Sequence, residues 1–147
     1  MRIGIIGTGM VGKALAAKLV DIGHDVMMGT RNVGQTLAST TKDVAGNPPF
    51  AEWQKQNPKV MLGTFADTAR HGEVIISATS GAASLEPLKL AGASNLRGKI
   101  LIDISNPLDF SKGMPPTLTV CNTDSLGEQI QRAFPDVKVV KTLNTTN

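Results

Sequence analysis

Three glycines near the amino terminus carry the most readable chemistry in this chain. The run Gly7-Thr8-Gly9-Met10-Val11-Gly12 follows the apolar stretch Ile3-Gly4-Ile5-Ile6 and opens a helix-like segment from Lys13 to Ile22. In a strand–turn–helix context the pattern G-x-G-x-x-G suits a dinucleotide. Gly7 permits the tight turn, Gly9 leaves the backbone bare for a pyrophosphate, and Gly12 lets the helix pack on the sheet. Unpaired N–H groups at the helix start, aided by the helix dipole, then face the phosphates. Val11, Leu15, Leu19 and Ile22 predict one apolar stripe on this helix, with Lys13, Lys18 and Asp21 elsewhere. Gly23 stands where a C′ glycine would close it.

The end of the second strand speaks to which dinucleotide. NAD sites usually place an acid there, about 20 residues on, to accept bonds from the ribose hydroxyls. Here Val26-Met27-Met28 runs into Gly29-Thr30-Arg31-Asn32, with no carboxylate. An acid would repel a 2′-phosphate, whereas Arg31 pairs with it through charge-assisted hydrogen bonds. Such bonds are worth about 1.5–3 kcal/mol, and about 1.4 kcal/mol is tenfold in affinity. The expectation is NADP over NAD by tens to hundreds of times.

Hydride chemistry would sit beyond the carboxyl ends of the strands, where open α/β sheets bind ligands. Ser77-Ala78-Thr79-Ser80-Gly81 is built of small residues that leave room for a ribose and a nicotinamide. In Asp103-Ile104-Ser105-Asn106-Pro107, Asn106 could bond a carboxamide or a partner ring. A third strand end reads Thr142-Leu143-Asn144-Thr145. All three also suit plain turn chemistry. No acid–base constellation stands out, and no residue is assigned as catalytic. His24 and His71 read as structural, the latter as a helix C-terminal cap. Cys121 has no neighbouring histidine and does not read as a nucleophile. Asp103 is either solvated or caps the turn around Ser105. No spaced His/Glu metal motif is present. Reducing an alcohol or imine centre usually needs a proton donor. Exchange of hydride between two redox rings needs mainly positioning, which fits this residue set better.

The elements that must hold these residues alternate. Strands are expected at Arg2–Ile6, Asp25–Met28, Val60–Gly63, Glu73–Ser77, Lys99–Asp103 and Val137–Lys141. Helices are expected near Met10–Ile22, Val33–Ser39, Phe50–Gln56, Ala66–His71, Ala82–Ala91 and Ser125–Ala133. Near-continuous apolar runs such as Val74-Ile75-Ile76 suit parallel strands covered on both faces. The fold class is therefore α/β, a doubly wound parallel Rossmann sheet of about six strands in order 3-2-1-4-5-6. Thr40–Lys59 reads as a loop plus one short helix carrying Trp53. Asn106–Asn122, with Pro107, Gly113 and Pro115-Pro116, is expected to be irregular.

A chain of 147 residues suggests one domain, residues 1–147. The four Phe and single Trp argue against a base-stacking nucleic-acid platform. The net charge of +3 is scattered, a mildly basic surface that helps to attract a polyanionic cofactor. One cysteine excludes an internal disulfide and fits a reducing, cytoplasmic setting. There is no secretory pattern and no membrane-length apolar run. An exposed sixth strand at the sheet edge leaves room for a homodimer.

Five segments together resemble the NADP oxidoreductase, coenzyme F-420-dependent family, also called NADPH-dependent deazaflavin reductases. They are Gly7-Thr8-Gly9-Met10-Val11-Gly12, Gly23-His24-Asp25-Val26, Gly29-Thr30-Arg31, Asp103-Ile104-Ser105-Asn106-Pro107 and Val139-Val140-Lys141-Thr142-Leu143-Asn144-Thr145. Asn-Pro-Leu and Asn122-Thr123-Asp124-Ser125-Leu126-Gly127-Glu128 look closer to the bacterial branch. The resemblance implies a Rossmann fold binding NADP(H), with a deazaflavin or flavin as hydride partner. It implies that Thr8 to Val11 contact pyrophosphate, that Thr30 and Arg31 hold the 2′-phosphate, and that Ala78 and its neighbours lie by the nicotinamide. Family members continue past the sixth strand, so the resemblance implies a chain truncated at its C-terminus or an abbreviated member.

Other readings stay open on sequence. One is a module that binds or senses NADP(H) without turnover. Another is the cofactor domain of a pyrroline-carboxylate-reductase-like or β-hydroxyacid-dehydrogenase-like enzyme. A methyltransferase would want an acid where Thr30 and Arg31 stand.

Overall fold

A computed structural model of the chain describes residues 1–43 and 45–144. Its parallel strands are β1 (Arg2–Ile6), β2 (Asp25–Thr30), β3 (Met61–Thr64), β4 (Val74–Ser77), β5 (Ile100–Asp103) and β8 (Lys138–Lys141). The sheet order is β3-β2-β1-β4-β5-β8, which is the expected 3-2-1-4-5-6 with β8 as the sixth strand. Every pairing in it is parallel, with Ile5 opposite Met28 on one side and Ile76 on the other. The extra numbers belong to a short antiparallel pair, β6 (Leu108–Asp109) with β7 (Thr117–Leu118). That hairpin lies in the stretch expected to be irregular. Pro115 and Pro116 fall between the two strands and Pro107 just before β6, where they break no ladder bond.

Helices cover both faces. On one face α1 (Met10–Asp21) and α3 (Phe50–Gln56) pack over Ile3, Ile5, Val26, Met28 and Ile76. On the other, α4 (Phe65–His71), α5 (Leu85–Ala91), α6 (Ala93–Leu96) and α7 (Leu126–Ala133) bury Ile6, Ile75 and Leu101. Adjacent residues Ile5 and Ile6, and again Ile75 and Ile76, enter opposite cores, as the two-residue period of a strand requires. This is why those runs read as continuously apolar. The short α2 (Val33–Ala38) follows β2 and buries no residue of its own. No helix among the described residues is long and apolar enough to cross a membrane.

Helix α1 departs from its expected stripe. Its buried residues are Gly12, Lys13 and Ala16, while Val11 and Ile22 are exposed and Leu15 and Leu19 only partly covered. Close helix–sheet packing selects small residues on the contact line, and hydrophobicity alone does not locate that line. A Cβ on Gly12 would lie 2.9 Å from the Gly7 carbonyl oxygen. The helix ends as expected: Gly23 has φ +90°, and Gly23 and His24 donate to Val20 and Leu19 in a Schellman arrangement.

Candidate functional site

The turn out of β1 is fixed by its neighbours. Gly7 has φ +119°, and a Cβ there would meet the Ala78 carbonyl oxygen at 2.6 Å. Its N–H donates to Gly29 at 3.0 Å, while Ala78 donates to Ile6 at 2.9 Å, so the loop is held between the ends of β2 and β4. Gly9 is the N-cap of α1; no side chain caps it, and the first turn carries no acid. Nothing lies within 4 Å of where its Cβ would be. The 12-residue helix thus presents its positive end and uncapped N–H groups to open space beside Thr8 and Met10. This geometry fits a diphosphate.

At the end of β2, Thr30 is buried and its hydroxyl lies 2.7 Å from that of Thr36. Thr36 in turn reaches the Asn32 carbonyl at 3.0 Å, so the Thr30 side chain is engaged with α2. Arg31 is exposed and donates to both carboxylate oxygens of Glu86, each at 3.1 Å. Glu86 stands in the first turn of α5, so the pair joins the ends of the two strands that flank β1.

Lys13 is the main surprise on this side. Expected off the apolar stripe, it is nonetheless buried, 6% exposed. Its ammonium donates to the Pro48 carbonyl at 3.0 Å and lies 3.7 Å from Asp43. The segment before α3 folds over it and closes a polar cavity of about 230 Å³ that includes Thr8, Gly9, Thr36, Ser39, Thr41 and Lys42. Hydrogen bonds from Asn47, with Lys13 adding a smaller attraction, hold the Asp43 carboxyl below the usual carboxylate range. A lysine one turn into the helix gave no sequence signal, because the strap that buries it arrives from more than thirty residues away.

The ends of β4 and β5 enclose a larger cavity of about 530 Å³, lined by Val11, Leu15, Ala78, Thr79, Ser80, Ile104, Asn106, Phe110 and Leu143 among others. Its lining is mainly apolar, with a few polar groups at one side. Asn106 donates to the Asn144 carbonyl at 2.8 Å and ties β5 to the exit of β8. Thr145, at the same strand end, lies outside the described residues.

Behind this cavity the fold assembles polar groups that sequence reading left apart. Asp103 is fully buried. It accepts from the Ser105 hydroxyl at 2.6 Å and from the Ser105 N–H at 3.2 Å, so it caps the turn and is not solvated. Its other oxygen pairs with Lys141 of β8 at 2.9 Å, and Lys141 also donates to the Ser105 carbonyl. Ser84 joins Ser105, and Thr79 joins Ser84. Only the topology brings β5 and β8 side by side, so nothing local predicts this cluster.

The remaining candidates sit elsewhere. His71 lies 3.3 Å from the Asp25 carbonyl, at the opposite end of the sheet. The cap expected of it is supplied by Lys99, which donates to Ala69 and Gly72 at 2.6 and 2.7 Å. Burial pushes the Lys99 ammonium below the usual lysine range. His24 has a buried Nδ1 with no partner and is structural in placement. Cys121 is exposed. Among the described residues no group of three His, Cys, Asp or Glu side chains is placed to hold a metal.

Residues 2–107 match the family described as NADP oxidoreductase, coenzyme F420-dependent. The chain belongs to this family. It is similar to a solved structure from Arthrobacter sp. FB24, provisionally assigned as an F420-dependent NADP reductase, at 56% identity and a TM-score of 0.92. That similarity covers 100% of this chain and 64% of the other, so the chain spans just under two thirds of that relative. It is 29% identical to metalloreductase STEAP3 of Rattus norvegicus over 97% of this chain and 24% of that protein. An imine reductase of Streptomyces aurantiacus shares the fold at 16% identity, with a TM-score of 0.63 over 96% of this chain and 40% of its own. NADP-linked oxidoreduction is the chemistry of the family, and the doubly wound sheet is its fold.

Proposed function

We propose that residues 1–147 form one NADP(H)-binding domain that passes hydride between the nicotinamide and a deazaflavin or flavin ring. One observation carries the reading. The open, uncapped start of α1 runs directly into the apolar cavity at the ends of β4 and β5, with Val11 belonging to both. A diphosphate on the backbone of Gly7, Thr8, Gly9, Met10, Val11 and Gly12 would place the rest of the dinucleotide along that groove. Arg31 then faces the 2′-phosphate beside Thr30. Ala78, Thr79 and Ser80 flank the nicotinamide, and Asn106 bonds its carboxamide or the partner ring from the rim. When bound, NADP(H) supplies the hydride; the protein orients the rings and excludes water. The apolar lining suits two stacked flat rings better than a small charged substrate.

The test is calorimetric titration with NADPH and NADH, followed by NADPH oxidation with deazaflavin, FMN and FAD as acceptors. The expected result is tight NADPH binding, weak NADH binding and oxidation by at least one ring acceptor. Stoichiometric binding with no oxidation by any of the three would make this a sensing module. Equal affinity for the two nucleotides would remove the NADP preference.

A further inference from the structure

We propose that Thr79, Ser84, Ser105 and Asp103 form a proton relay between the cavity at the ends of β4 and β5 and the partly exposed side chain of Lys141. The inference rests on the hydride-transfer reading above and adds the proton path that this reading lacks. The relay is continuous. Thr79, which lines the cavity, donates to Ser84 at 3.2 Å. Ser84, 1% exposed, reaches Ser105 at 3.1 Å, and its proton has a second acceptor, the Ser80 carbonyl, also at 3.1 Å. Ser105 donates to Asp103 at 2.6 Å, and Lys141, with 29% of its side chain exposed, holds the other carboxylate oxygen.

A carboxylate can only accept, so the Ser105 proton points to Asp103. Ser105 therefore accepts from Ser84, and Ser84 accepts from Thr79. With the Ser84 proton on Ser105 and not on the Ser80 carbonyl, every hydroxyl in the row is turned to take a proton from the cavity and pass one inward. Turn caps alone would not require this: Ser105 with Asp103 completes the turn, and Ser84 and Thr79 add nothing to it.

In the direction that reduces NADP⁺, the row of hydroxyls carries a proton away from the cavity. A reduced ring, when bound, would give a hydrogen with its electron pair to the nicotinamide and would also have to release a proton. Thr79 Oγ1 takes that proton and releases its own to Ser84. Ser84 passes one to Ser105, and Ser105 passes one to Asp103 Oδ1. Asp103 becomes the neutral acid; Lys141 gives one of its own ammonium protons to water and then takes the proton from the Asp103 carboxyl, which restores the ion pair. The NADPH-oxidising direction runs the same row reversed, with the hydroxyls turned about.

Four variants test it: Thr79→Val, which keeps the shape and removes the hydroxyl, Thr79→Ser as its rescue, Ser84→Ala and Ser105→Ala. Turnover with a deazaflavin acceptor, its solvent deuterium isotope effect, NADPH affinity and hydroxyl-proton spectra of the cofactor-free chain are measured together. The expected result is turnover reduced about tenfold or more in Thr79→Val and Ser84→Ala, in line with loss of one positioned proton-transfer group. Their solvent isotope effect changes and Thr79→Ser recovers, while NADPH affinity holds within about twofold in Ser84→Ala, whose side chain stands behind the cavity and not in its lining. In the free chain a slowly exchanging Thr79 hydroxyl proton is lost in Ser84→Ala. Wild-type turnover and isotope effect in Thr79→Val and Ser84→Ala would overturn the relay alone. Absence of a protected hydroxyl proton in the wild type would overturn its geometry. A wild-type chain that binds NADPH but reduces no ring would sink the hydride reading, and the relay with it.

Discussion

The two halves of the strand-end groove are built in different ways. On the β1–β2 side, the glycine turn, the start of α1 and Arg31 lie within 25 residues of one another, and backbone does most of the work. On the β4–β5–β8 side, Thr79, Ser84, Asp103, Ser105 and Lys141 come from three separate strand ends and meet through side chains. Phosphates are bound by local geometry, which a short motif can encode. A buried polar cluster needs several segments brought to within hydrogen-bonding distance, and the sheet order does that.

The largest effect should come from breaking the second half. Asp103→Asn leaves Lys141 without its counter-charge inside the cluster, and costs about 2–4 kcal/mol by chemical denaturation, given that Lys141 keeps some water contact. A loss below about 0.5 kcal/mol would mean that the ion pair does not hold β8 to β5. Next is Gly7→Ala on the first side. A side chain at φ +119°, pressed on the Ala78 carbonyl, costs about 1–3 kcal/mol in strain and shifts the loop, so NADPH binding falls by more than about tenfold. If binding survives while stability drops, the loop is structural and the contrast between the halves weakens.

Arg31→Ala should lower NADPH affinity about 10–100-fold and leave NADH unchanged. The same titration on Glu86→Gln should raise NADPH affinity a few-fold, because the exposed Arg31–Glu86 pair competes with a 2′-phosphate. An unchanged NADPH affinity in Arg31→Ala would move the specificity to the polar cavity around Thr36, Thr41 and Lys42.

The smallest effect concerns the helix that follows β3. The side chain and backbone of Thr64 hydrogen-bond Asp67 and, with Arg70 adding to them, hold its carboxyl below the ordinary value of 3.8. A carboxyl depressed in the folded state stabilises the fold at pH values above its unfolded pKa, and that contribution fades as pH falls through the folded one. Acid melts should therefore show Asp67→Asn converging on wild type below the folded pKa and separating from it above about pH 4. Convergence at high pH instead would reverse the assignment.

How much was legible follows the same division. All six parallel strands, their order and the glycine turn were read from apolar runs and punctuating glycines. Helix α1 was placed correctly but rotated, because Gly12 and Ala16 are buried by closeness to β1 and β2 while Val11 turns to the groove. The β6–β7 hairpin was hidden by its prolines, and the Lys13 strap by sequence distance. The turn of Asp103 with Ser105 is local and legible, whereas its ion pair with Lys141, thirty-eight residues on, is not.

By itself, then, the sequence determined the doubly wound sheet and the glycine turn, because both depend on periodicity and on glycine at set positions. Tertiary structure alone decided that Lys13 is buried, that Thr30 turns to Thr36, and that a row of hydroxyls runs from Thr79 to Asp103. Those outcomes depend on which strands lie side by side and which loops cross them, and no window along the chain contains that information.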